Sequence, residues 1–175
     1  MQRVHSRKNI LIAGKPGIGK TTLIKEIAKK LGKEAGGFYT EEIRRGGKRI
    51  GFKIKTLDGK RGVLARVDID SPYRVGRYKV SLPEFEKVAL PAIENALASS
   101  KIVIIDEIGP MELLLPGFKD IVLKALDASN PVIATIKLKG TKFIDEIKSR
   151  RDVTIFSLHS DNREEVLREV LTKII

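Results

Sequence analysis

Eight residues near the start of the chain, GKPGIGKT from Gly14 to Thr21, have the types and spacing that hold a phosphate. Glycines let consecutive backbone N–H groups turn toward one anion, and a helix N-terminus behind them adds partial positive charge at the same point. The flanks supply both neighbours. The apolar run NILIA before the loop reads as a strand, and TTLIKEIAKKL after it places Leu23, Ile24, Ile27 and Leu31 on one helical face. In such an arrangement Lys20 reaches the β- and γ-phosphates and the Thr21 hydroxyl ligates Mg²⁺. Gly14, Lys15, Pro16, Gly17, Ile18, Gly19, Lys20, Thr21 and Thr22 are therefore the first candidate nucleotide-binding residues. The pattern G-x-x-x-x-G-K-[ST] arises by chance on the order of 10⁻⁵ to 10⁻⁴ times per starting position, so an accidental glycine turn with a solvated lysine is a poor competitor.

A second group lies far along the chain, in IVIIDEIGPME. Four apolar residues end in Asp106 and Glu107, which sets both carboxylates at the carboxyl end of a buried strand, the edge where open α/β sheets bind ligands. Asp106 is the natural partner of Mg²⁺ with Thr21, directly or through water. Glu107, one residue on, is placed to orient and deprotonate a water aimed at the γ-phosphate. Thr135 in NPVIATIKL has two readings: a hydroxyl offered to the γ-phosphate or the attacking water, or a buried threonine satisfied by backbone. Asn162 in FSLHSDNREEV either hydrogen-bonds a nucleotide base or, with Ser160 and Asp161, caps the last helix. Arg150, Arg151 and Arg163 are candidates for neutralising transition-state charge; His159 reads as structural.

These groups need a scaffold, and the rest of the chain predicts one. At 175 residues with no cysteine, one domain with a single core suffices, without disulfides or thiolate metal sites. His5 and His159 are too far apart in sequence to suggest a histidine metal site. Apolar runs are too short to cross a bilayer and MQRVHSRKN lacks a signal peptide's apolar core, so the expectation is a cytoplasmic protein. GGFYTEEIRR, IGFKIKTL and GVLARVDI, separated by the turns GGKR and DGKR, predict a β-meander inserted over about 36–80. A helix follows from about Pro83 to Ala98, with Pro91 inside it as a point of kinking or division. The second half alternates strand and helix, which predicts an α/β fold: a mostly parallel central sheet with helices on both faces.

Charge is uneven along this scaffold. Lysine and arginine exceed acids by 12, and the segment 41–79 holds twelve basic residues against five acidic. Such a patch attracts nucleotide phosphates or, weakly, nucleic acid through the meander, though a solvated basic surface is the plainer reading. Charged residues make up 32% of the chain while it has only four Asn and one Gln, a balance that suggests heat adaptation. Nothing in the pattern fixes an oligomeric state.

Taken together, GKPGIGKTTL, GGFYTEEIR with GGKRIGF, VGRYKV, VIIDEIGPMEL and the closing NR of SDNREEV resemble the THEP-type nucleoside triphosphatases, over nearly the whole chain. The resemblance implies a RecA-like P-loop fold, Mg²⁺-dependent hydrolysis of ATP, GTP and other NTPs to NDP and phosphate, and modest base selectivity. It carries the phosphate-loop role onto Gly14 to Thr21 and the Walker B role onto Asp106 and Glu107. Proline at 110 departs from the lysine expected in many relatives, leaving the carboxylates untouched. Two alternatives stay open: a nucleoside or nucleotide kinase whose acceptor sits on the meander, and a regulatory NTPase stimulated by nucleic acid.

Overall fold

A computed structural model of the chain describes residues 8–174. The stretch 1–7, with His5 and the N-terminal signal question, and residue 175 lie outside the described residues. Strand β1 (Asn9–Gly14) runs into the glycine loop and helix α1 (Lys20–Leu31). A 3₁₀ turn then leads to β2 (Ala35–Arg45), β3 (Lys48–Thr56), β4 (Arg61–Arg66) and the short hairpin β5 (Arg74–Val75) and β6 (Tyr78–Val80). The second half is α2 (Leu82–Ala98), β7 (Ile102–Ile108), α3 (Phe118–Asp127), β8 (Val132–Lys137), α4 (Lys142–Lys148), β9 (Val153–Ser157) and α5 (Arg163–Ile174).

All nine strands form one sheet in the order β5-β6-β4-β3-β2-β7-β8-β1-β9. Strands β2, β7, β8, β1 and β9 pair in parallel, and β3, β4, β6 and β5 continue the sheet in antiparallel pairs. The expected α/β class holds. The meander differs in one respect: its first strand also belongs to the parallel core, because Ala35 to Phe38 of β2 pair with Ile102 to Ile105 of β7. The chain therefore reaches the antiparallel region without leaving the sheet.

Side chains alternate between the two faces of each strand, and the core divides accordingly. On one side Leu11 and Ala13 of β1 pack with Phe85 of α2, Phe118 of α3 and Phe143 of α4. On the other, Ile10 and Ile12 meet Leu23, Ile24 and Ile27 of α1 with Val166, Leu167 and Val170 of α5. Phe38, Phe85 and Phe118 stack edge-on or tilted, with centroids 5.8 and 5.6 Å apart, and lock α2 onto β2. This packing carries α2 through Pro91 without a break, so the helix is neither divided nor ended there. Among the described residues no helix is long and apolar enough to cross a membrane.

Gly37 shows how tightly β2 joins β7. Its φ is +113°, and a Cβ there would stand 2.1 Å from the carbonyl oxygen of Ile104. Backbone strain and a backbone clash combine, so Gly37→Ala should destabilise the protein by about 3 kcal/mol or more. Gly59→Ala, at φ +98° but with open space around the new Cβ, should cost only the strain, about 1–2 kcal/mol. Urea unfolding of both variants checks the ordering.

Candidate active site

The glycine loop takes the shape its composition suggests. Gly17 and Gly19 have φ of +79° and +108°, left-handed conformations that side chains resist, and Gly19 is the N-cap of α1. Gly14 has no room for a side chain, since a Cβ would meet Ile18 at 2.9 Å and the Leu158 carbonyl at 3.0 Å. The loop after β9 is thus seated beside the phosphate loop, fixed by the Leu158 N–H donating to Ala13. Lys15, Pro16 and Gly17 are exposed at the tip, Ile18 and Gly19 half-buried, and Thr22 exposed on the first turn of α1.

Lys20 is buried over the loop. Its side chain is 9% exposed, and Nζ donates to the carbonyls of Gly14 at 2.8 Å and Lys15 at 3.3 Å. It curls back over the loop and stands 3.8 Å from the Glu107 carboxylate. A buried ammonium requires partners, and the loop's own carbonyls provide them.

Asp106 is the centre of the arrangement. The β7–β8 ladder skips between Ile105 and Ile108, leaving Asp106 and Glu107 out of register at the strand's carboxyl end. The Asp106 side chain accepts from Thr21 Oγ1 at 3.0 and 3.2 Å, from the Thr40 N–H at 3.2 Å, from Thr40 Oγ1 at 3.3 Å and from Thr135 Oγ1 at 2.6 Å. Burial pushes this carboxyl up, and the bonds from Thr135, Thr40 and Thr21 oppose the rise. Three elements converge here because β8 lies between β1 and β7 and β2 lies on the other side of β7. Thr135 therefore meets neither of its two sequence-derived expectations: its hydroxyl is satisfied by Asp106, not by backbone or an open phosphate site. Removing that donor while Asp106 stays buried should cost about 1–3 kcal/mol in Thr135→Val. In an Asp106→Ala background the cost should shrink, which a double-mutant cycle of unfolding measures.

Glu107 opens more to solvent, with its side chain 29% exposed. Burial pushes its carboxyl up, Lys20 draws it down and Asp106 pushes it up again, with a net rise. Glu112, in the 3₁₀ turn after β7, is only 5% exposed, and its carboxyl is driven well above the ordinary range by burial and then by Glu107.

The hard-oxygen set of one hydroxyl and one carboxylate, held 3.0 Å apart beside the phosphate loop, fits Mg²⁺. Among the described residues no cluster of three acidic or histidine side chains forms an all-protein cage. The remaining ligands would be phosphate oxygens and water, as is usual for this ion.

Other expected residues fall differently. Asn162 neither caps α5 with its side chain nor presents a free amide: Oδ1 accepts from the His159 N–H at 2.7 Å and Nδ2 donates to the Ser157 carbonyl at 2.8 Å. Arg150 sits beside the start of β9, at the opposite sheet edge, bound to Asp127 and Asp152 at 2.7 and 2.8 Å, and Arg151 neighbours it. Arg163 alone stays at the phosphate-loop edge, where it ties α5 to Glu26 of α1 at 2.5 Å. Thr40 and Glu112 were not singled out by sequence reasoning. A threonine and an acid inside the runs GFYTEE and GPMEL signal nothing until the strand order is known.

A family described as NTPase matches residues 9–171. A Thermotoga sp. (strain RQ2) protein, "Nucleoside-triphosphatase THEP1", is 52% identical over 163 residues, covering 93% of each chain. The chain belongs to this nucleoside-triphosphatase family. The human "Cancer-related nucleoside-triphosphatase" is 41% identical over 181 residues that span 94% of this chain and 95% of the human one. In three dimensions the crystal structure of THEP1 from the hyperthermophile Aquifex aeolicus superposes with a TM-score of 0.88 at 38% identity, over 95% of this chain and 98% of that one. The solution structure of the human protein gives 0.80 at 39% identity, over 94% and 95%. The P-loop α/β fold is thus common to the THEP1 family and this chain.

Proposed function

We propose that the chain hydrolyses nucleoside triphosphates to the diphosphate and phosphate with Mg²⁺ and with broad tolerance of the base. That it is a nucleoside-triphosphatase follows from its family; the ion, the base range and the residue roles are the added reading. The observation that carries them is the meeting of two motifs about 85 residues apart: Thr21 bonds Asp106 at 3.0 Å while Lys20 stands 3.8 Å from Glu107.

Gly14 to Thr21 would wrap the phosphates with backbone N–H groups, and Lys20 would exchange its carbonyl partners for β- and γ-phosphate oxygens. Thr21 and Asp106 would hold Mg²⁺, which when bound neutralises charge on the β- and γ-phosphate oxygens. Asp106, buried and bonded to three threonines, keeps the Thr21 hydroxyl aimed. Glu107 accepts the proton of the attacking water, since its carboxylate is the more exposed of the pair and sits at the sheet edge. Asn162 contributes by shaping the loop packed on Gly14, with one bond at each end of its amide.

The test is phosphate release from ATP, GTP, CTP and UTP, with and without Mg²⁺, alone and with nucleosides or nucleoside monophosphates. Rates within about 100-fold of one another, near 3 kcal/mol, are expected across the four bases. A preference beyond that contradicts the broad base range. Faster phosphoryl transfer to an acceptor than to water would replace hydrolysis by the kinase reading.

A further inference from the structure

The segment 41–79 keeps its net excess of seven positive charges, with part of its basic side chains held on acids. Lys53 and Lys55, with Lys25 of α1, surround Glu41 at 2.6 to 3.4 Å; Arg44 and Arg49 hold Glu42; Arg66 and Arg45 hold Asp68. Lys29, on the last turn of α1, Lys33, in the 3₁₀ turn that follows, and Lys101, in the turn before β7, make no ion pair among the described residues. All three line one groove of about 1040 Å³, together with Lys25 and Tyr39. Its acids are already engaged: Glu26 pairs with Arg163, and Asp58 accepts from the Thr56 hydroxyl.

We propose that this groove binds single-stranded nucleic acid along its phosphate backbone. Lys29 on the last turn of α1, Lys33 in the 3₁₀ turn Gly32–Glu34 and Lys101 before β7 reach the groove from three segments, with Lys25, held on Glu41, beside Tyr39. Cations spread along a groove suit the successive phosphates of a strand better than a single anion. Tyr39 in the groove supplies a ring face for a base, with Lys25 Nζ 5.4 Å from its centroid. The helix C-terminus explains lysines on the last turn of α1 by its partial negative charge, but not Lys101, which arrives from a different element to face the same space. An isoelectric point near 9.9 supplies the long-range attraction. The groove also touches the site described above through β2: Tyr39 lines it, and the next residue, Thr40, bonds Asp106 from the opposite face.

The inference does not depend on hydrolysis, because binding is read without nucleotide. Fluorescence anisotropy of a labelled single-stranded RNA oligomer without 5′-phosphate should show salt-sensitive binding. The triple variant Lys29→Gln, Lys33→Gln, Lys101→Gln should flatten the slope of log K against log salt by about 2, at about 0.7 per lost phosphate contact on a single strand. The equally discharged meander variant Lys48→Gln, Lys60→Gln, Arg74→Gln should leave that slope within about 0.5 of the parent. The groove variant should also keep the parent kcat for ATP. The proposal is overturned if the oligomer does not bind at low salt, if both triples flatten the slope equally, or if inorganic polyphosphate binds while the oligomer does not.

Discussion

Glu107→Gln is expected to lower kcat by roughly 10²- to 10⁴-fold, the range for a lost general base, while ATP still binds. Glutamine keeps the shape of the side chain and leaves Thr21 on Asp106, so the phosphate loop and the ion site persist; only the ability to take a proton goes. A pH profile separates this from a structural defect. Burial, the largest influence on the Glu107 carboxyl, pushes it upward, and catalysis needs the ionised form. The parent rate should therefore fall as the pH drops through a value above the ordinary glutamate range, and the glutamine variant should lack that acid limb. Hydrolysis by Glu107→Gln at the parent rate would remove the carboxylate from the chemistry.

Lys20→Ala should abolish turnover, by about 10³-fold or more, and weaken triphosphate binding as well, because the lost charge acts in the ground state and in the transition state. Asp106→Asn should differ in kind, shifting the Mg²⁺ titration to higher concentration along with slowing turnover. The burial of Lys20 adds a second expectation. Alanine strips a partner from the Gly14 and Lys15 carbonyls, so the variant should also melt differently from the parent, while Lys20→Met, which keeps the apolar stem, should restore more of the melting temperature than of the rate. Calorimetry beside a phosphate-release assay reads both. A well-folded Lys20→Ala protein with parent activity would contradict the loop's role.

What the sequence made legible was what it holds close together. The glycines, Lys20 and Thr21 share one loop, and Asp106 and Glu107 share one strand end, so their local order states their relation to a phosphate. The α/β class followed from the alternation of strand and helix. Pairing order is another matter. That β8 inserts between β1 and β7, and that β2 flanks β7 from the other side, depends on which buried strand prefers which neighbour, and continuous apolar strands look alike. Hence Thr40 was invisible and Thr135 had two readings. The local bonds of Asn162 were hidden for a related reason: its amide serves backbone groups three and five residues earlier, in a loop whose turns no periodicity announces. The charge count gave the excess in the meander but not which of its bases Glu41, Glu42 and Asp68 hold, since those pairs join residues on different strands.

The carbonyls that receive Lys20 in the glycine loop bear on how a catalytic cycle would close. An ammonium stranded in a dry cleft after phosphate departs would be a penalty against product release. Here it has somewhere to return to, with Gly14 at 2.8 Å and Lys15 at 3.3 Å waiting. Entry and exit of the triphosphate are then exchanges of one set of oxygen partners for another. The last step of each turnover would be a handover of hydrogen bonds instead of the exposure of a bare charge.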